Sequence, residues 1–94
     1  MKGNYYYDEI TDDLMISNKA EKEKVRKNFM FDDVVSSLSE KGKIVGIEIT
    51  NISKLLDQSG IDPKILKNLK GAELIVQPKK NFIFIGINLN IIER

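Results

Sequence analysis

The groups whose type and spacing could do chemistry in this sequence are carboxylates. Asp8, Asp12 and Asp13 fall within "DEITDD", and Glu48 interrupts the apolar residues that follow Lys43 in "GKIVGIEI", Gly42 to Ile49. If the first stretch folds beside the second, these oxygens could hold Mg²⁺ or Ca²⁺, or divide acid and base roles between carboxyls of unequal pKa. The residues that would complete such a site are missing. The chain has no histidine and no cysteine, which removes imidazole bases, thiolate nucleophiles and the metal sites built on either. No phosphate-cradling glycine loop is present, and the spacing of Asp8, Asp12 and Asp13 does not fit an EF-hand loop. The polar cluster Tyr7, Asp8, Asp12 and Glu48 therefore reads as structural. Asp8 and Asp12 would bond turn N–H groups, and Glu48 would accept from a backbone group, a Tyr hydroxyl or a Lys across a sheet, with Gly46 making room. No catalytic residue, metal or cofactor is assigned.

Other candidates reduce in the same way. Lys22, Lys24, Arg26 and Lys27 could contact phosphates, but Glu21 and Glu23 interrupt them, and a mixed-charge run is a solvated face. Adjacent strand residues point to opposite faces, so Tyr5, Tyr6 and Tyr7 do not form one stacking platform. Ser53 has no base to activate it and belongs to a helix start.

The composition narrows the function classes. With 94 residues the chain is read as a single domain, 1–94, of a size at which many proteins gain stability by pairing. Fifteen Lys+Arg against 14 Asp+Glu leave a net charge of +1, so no global field draws in nucleic acid or an anionic membrane. No apolar run approaches the roughly 20 residues of a membrane-spanning helix. The opening "MKGNYYYDEITDD" has no signal-peptide character. The expectation is a cytoplasmic protein with no membrane partner.

The elements that must position these residues are mostly strands. "NYYY" and "LMIS" flank the acidic turn and form a first hairpin; "NFMF" and "VVSSL" follow, and after the "SEKG" turn Lys43 to Ile49 runs back as a second. Lys19 to Lys27 reads as a solvated loop or exposed edge. Thr50 or Asn51 caps a helix with Ile52, Leu55 and Leu56 on its apolar face, closed by Gly60. Asp62 caps a second, with Pro63 at its first position, Ile61 stapled to Leu66, and Gly71 after its end. "AELIV", a "QPKKN" turn and "FIFIGINLNII" make a third hairpin. The predicted class is α+β: three antiparallel hairpins in a curved sheet or small sandwich, with two short helices between the second and third hairpins.

Alternation assigns the faces. Val45, Ile47 and Ile49 point one way and Ile44, Gly46 and Glu48 the other; in the last strand Ile83, Ile85, Ile87, Leu89 and Ile91 oppose Phe82, Phe84, Gly86, Asn88 and Asn90. The second faces are too apolar at Ile44, Phe82 and Phe84 for bare solvent, which marks these three as a candidate interface and predicts a homodimer. "IVGIEITNI" and "FIGINLNII" also align without gaps; a duplicated unit would explain the echo, but with no longer period along the chain shared Ile-rich composition is the reading preferred.

"YDEITDDLMI", Tyr7 to Ile16, and "GKIVGIEITNISK", Gly42 to Lys54, resemble the two signatures of domain of unknown function 2283, a family of small prokaryotic proteins. Tyr7, Asp8, Asp12, Leu14 and Ile16 match the first signature; Gly42, Gly46, Ile47, Glu48, Ile49 and Ser53 match the second. Met15 stands where the family usually has an aromatic residue, Ser39, Glu40 and Lys41 replace its acidic turn, and the charged stretch Lys19 to Lys27 is longer. The resemblance implies a compact fold and no assigned activity; some members encoded beside toxin-like genes suggest an antitoxin-like role. The functional expectation is thus a non-enzymatic homodimeric binding or protein-interaction module. An antitoxin-like or nucleic-acid-associated regulator and a divalent-metal-dependent carboxylate enzyme stand as alternatives.

Overall fold

Seven strands and two short helices make up the chain in a computed structural model that describes residues 4–20 and 22–92. β1 (Asn4–Asp8) and β2 (Asp13–Ser17) are joined by the acidic turn, and β3 (Val25–Phe31), β4 (Val34–Ser39) and β5 (Ile44–Ile49) form an up-and-down meander. β2 pairs with β5, which closes a five-stranded antiparallel sheet of order β1-β2-β5-β4-β3. After α1 (Ile52–Gln58) and a 3-10 helix (Pro63–Asn68), β6 (Leu69–Pro78) and β7 (Ile83–Ile91) form a separate two-stranded sheet. The architecture is α+β, dominated by antiparallel strands.

Alternation accounts for the core. Leu14 and Ile16 of β2 lie beside Ile49 and Ile47 of β5, and all four are buried. Ile52 and Leu56 of α1, Leu66 of the 3-10 helix, and Ala72 and Leu74 of β6 cover them. Burying each of the larger side chains contributes about 1.5–3 kcal/mol. β6 is fastened to the sheet by polar contacts as well: the Tyr5 hydroxyl donates to the Leu69 carbonyl at 3.2 Å, and Asn18 Nδ2 donates to the Leu74 carbonyl at 2.8 Å.

The β4–β5 turn shows local chemistry setting register. Gly42 sits at φ +80, a left-handed conformation that suits glycine, while buried Ser39 accepts through Oγ from the Lys41 and Lys43 N–H groups, both at 3.3 Å. The second helix is a 3-10 helix with Pro63 at its start and the Asp62 side chain accepting from Lys64 N at 2.9 Å. It ends at Asn68, so Gly71 lies inside β6 rather than after a helix. β6 also extends through Pro78 into the expected turn. Among the described residues of the charged stretch, Val25 to Lys27 already belong to the exposed edge strand β3; Glu21 lies outside the described residues.

A β-bulge overturns one face assignment. Ser37 pairs with Gly46 but Leu38 with Ile44, leaving Val45 as the extra residue. Strict alternation through Gly46 therefore fails. Val45 lines the face that carries Gly46 and Glu48, and Ile44 turns to the core side, packed against the cluster and beside Ile85.

Candidate functional site

The acidic turn and the start of α1 meet at Asp12. Its φ of +59 is a left-handed conformation that Asp tolerates, and it aims both backbone and side chain at the helix. The Asp12 carbonyl accepts from Ile52 N at 3.1 Å, and the carboxylate accepts from Ser53 N at 3.1 Å and Ser53 Oγ at 2.7 Å. The Tyr7 hydroxyl donates to the same carboxylate at 2.8 Å. Asn51, the residue before α1, is itself left-handed and makes no side-chain cap bond. Asp12 thus does an N-cap's work from a distant turn, satisfying the first free N–H groups of the helix.

The electrostatics agree with this geometry. Partial burial pushes the Asp12 carboxyl upward, but hydrogen bonds from the Ser53 hydroxyl, Tyr7 and the Ser53 N–H outweigh it, and its pKa ends below the usual value. Burial, followed by the bond to the Asp12 carboxylate, holds the Tyr7 pKa above the usual value. The neutral phenol and the ionised carboxylate favour each other.

Asp8 serves its own turn, accepting from Ile10 N at 2.9 Å and Thr11 N at 3.3 Å. Glu48 lies elsewhere. Tyr7 packs on the core side of the sheet, whereas Glu48 alternates with buried Ile47 and Ile49 and points to the opposite, outer face. Among the described residues no group of three or more carboxylates is placed to hold a metal ion. Ser53, set aside in the sequence as part of a helix start, is the principal partner of Asp12; its place in the second family signature was the available signal.

Two register rows cross the outer face. One runs Tyr6, Met15, Glu48, Val35, Met30, and the next Asn4, Ser17, Gly46, Ser37, Asn28. Glu48 is central in the first and Gly46 in the second. Between them lies a hollow of about 370 Å³. Ser37 Oγ donates to Asn28 Oδ1 at 2.8 Å, and the Lys19 ammonium is held by the Glu23 carbonyl at 3.0 Å. Among the described residues the Glu48 carboxylate makes no hydrogen bond or ion pair, so the acceptor role expected for it finds no donor there. Gly46 does not owe its identity to a clash: a Cβ there would stand 3.6 Å from Ile16 O and Ser37 Cβ, ordinary contact.

A second hollow, about 680 Å³, opens between the sheet and the end of the β6–β7 hairpin, lined by Phe29, Leu38, Ile44, Val76, Ile83 and Ile85. Of the three interface candidates, Ile44 is half-buried at this hollow, whereas Phe82 and Phe84 are exposed on the hairpin, at 63% and 49%.

Comparison with known proteins gives a family and no activity. Residues 4–53 match the family described as protein of unknown function (DUF2283), the segment from β1 to the Asp12–Ser53 junction. An uncharacterized protein of Methanocaldococcus jannaschii is 35% identical over 94 residues, covering 100% of this chain and 78% of its own length. No solved structure matches. The matched segment contains both the Tyr7–Asp12–Ser53 cluster and the Gly46–Glu48 strand, and the chain belongs to the DUF2283 family of proteins of unknown function.

Proposed function

We propose that this chain is a single-domain, non-enzymatic binding module that works as a homodimer in a prokaryotic cytoplasm. The observation that carries the binding role is the row Tyr6, Met15, Glu48, Val35, Met30, exposed at Tyr6, Met15 and Met30 and half-buried at Glu48 and Val35, beside the hollow over Gly46. A sheet face that exposes Tyr6, Met15 and Met30 is surface of the kind that marks an interaction site. A single carboxylate at its centre, unpaired among the described residues, suits a partner side chain that offers an apolar stem and a cationic head, as Lys and Arg do. The polar cluster, in contrast, is occupied in tying turn to helix, which leaves no free carboxylate pair for acid and base chemistry. The prokaryotic setting is that of the matched relative. No helix among the described residues is long and apolar enough to cross a membrane.

Affinity capture from native cell extract tests the binding role, comparing the unmodified chain with Met15→Glu and Glu48→Lys. A protein retained by the unmodified chain and lost with both variants, whose circular dichroism is unchanged, is the expected result. Capture of the same proteins by all three would overturn the outer face as the binding surface. Light scattering tests the assembly: a species of twice 10.7 kDa is expected, and a species of 10.7 kDa alone overturns the homodimer.

A further inference from the structure

The two sheets leave four strand edges, and three carry devices that discourage pairing. β1 is five residues long and ends in Asp8. β3 carries Arg26 and Lys27, with a bulge at Arg26. β6 has Lys70 at a bulge, Glu73 and Pro78, and its Leu69 and Leu74 carbonyls are taken by Tyr5 and Asn18. Short length, charge, bulges, proline and cover are the means by which natural edges avoid pairing.

β7 has none of them. From Phe82 to Ile92 there is no charged residue and no proline, its pairing with β6 shows no irregularity from Gly71 onward, and the strand runs nine residues. Its only strand partner among the described residues is β6. Among the described residues nothing pairs with the backbone groups on its other side, and they form a long template.

We propose that this edge pairs antiparallel with β7 of a second copy, with the two-fold axis at Ile87, fusing two hairpins into one four-stranded sheet. The pattern is self-complementary about that residue. Ile83 would face Ile91 of the second copy, Ile85 its Leu89, and Ile87 its own equivalent; on the opposite face Gly86 would meet Asn88 and Phe84 would meet Asn90. A two-fold axis brings identical groups together, so a charged edge would repel itself. An uncharged one does not. The pairing also turns a two-stranded ribbon, marginal by itself, into a four-stranded sheet.

This inference rests on the homodimeric reading and names its seam. The chain has no cysteine, so single-cysteine variants report the register directly. Under mild oxidation Ile87→Cys is expected to form a covalent dimer that reductant reverses. Ile85→Cys and Leu89→Cys should cross-link when mixed and far less when alone. Asn88→Lys, on the solvent side, keeps the fold by circular dichroism and shifts the light-scattering mass toward 10.7 kDa. A dimer that Asn88→Lys leaves intact, with no covalent species from Ile87→Cys, keeps the homodimer and overturns this seam. Self-linking by Ile85→Cys but not by Ile87→Cys overturns the register. A protein monomeric at every concentration overturns both.

Discussion

Asp12 and Ser53 stand 41 positions apart and meet at 2.7 Å, carboxylate to hydroxyl. That contact joins the first hairpin to α1, and with Tyr7 on the same oxygen it makes Asp12 the hub of three elements. Asp12→Ala removes a cap and leaves the Tyr7 and Ser53 donors without their acceptor, at a cost of about 2 kcal/mol. Thermal unfolding should then fall by roughly 10 °C for a domain of this size. Tyr7→Phe and Ser53→Ala should each cost about 1 kcal/mol. Combined with Asp12→Ala they should add little, because they act through one carboxylate. Additive losses in the double variants would rule out the hub.

The same pair predicts how stability varies with pH. Asp12 is held below its ordinary value of 3.8, so its contribution is present above the unfolded-state pKa and is lost as pH falls through the lower folded pKa. Tyr7 is raised above 10.0, so its contribution is present below that value and is lost as pH rises through the folded pKa. Urea denaturation across the range should show an acid loss diminished in Asp12→Asn and an alkaline loss diminished in Tyr7→Phe. An alkaline limb identical in Tyr7→Phe and the parent chain would contradict the assignment.

The two glycines of the second family signature should respond in opposite directions. Gly42 is left-handed at φ +80, and Gly42→Ala should cost about 1 kcal/mol although nothing stands within 4 Å of the added carbon. Gly46 has neither a positive φ nor a close neighbour, and alanine restricts the unfolded chain, so Gly46→Ala should leave stability unchanged or raise it by about 0.5 kcal/mol. The added methyl would occupy the outer-face hollow, and capture of a partner should weaken. Measuring melting temperature and capture together separates the two roles.

Much of this arrangement was legible because it is local. The Asp62–Pro63 start, the Gly42 turn and the stripe Ile85, Ile87, Leu89 follow from side-chain chemistry within a few residues. What alternation missed was the bulge at Val45, which depends on how β4 and β5 register across the sheet and so turns Ile44 toward the core. The capping of α1 was hidden for a related reason. Asn51 carries the right side chain in the right place, yet its left-handed backbone withdraws it, and the donor's partner arrives from Asp12. The echo of β5 in β7 likewise says nothing of position: β5 is central in its sheet, whereas β7 lies at an edge.

Glu48 offers the sharpest separation of a binding role from a structural one. It lies between Met15 and Val35 in the register row, and its carboxylate makes no hydrogen bond or ion pair among the described residues. Glu48→Gln keeps the shape and removes only the charge. With no side-chain partner among the described residues, the variant should unfold within about 0.5 kcal/mol of the parent, in contrast to Asp12→Asn, which weakens three hydrogen bonds at once. Light scattering should give the same assembled mass, because the proposed seam lies in β7. What should change is affinity for a cationic partner, together with its salt dependence, since a charge pair on an exposed face is screened within about 10 Å at 0.1 M salt. If Glu48→Gln instead lowers the melting temperature by as much as Asp12→Ala, Glu48 has a structural partner and the outer face is not a free binding surface.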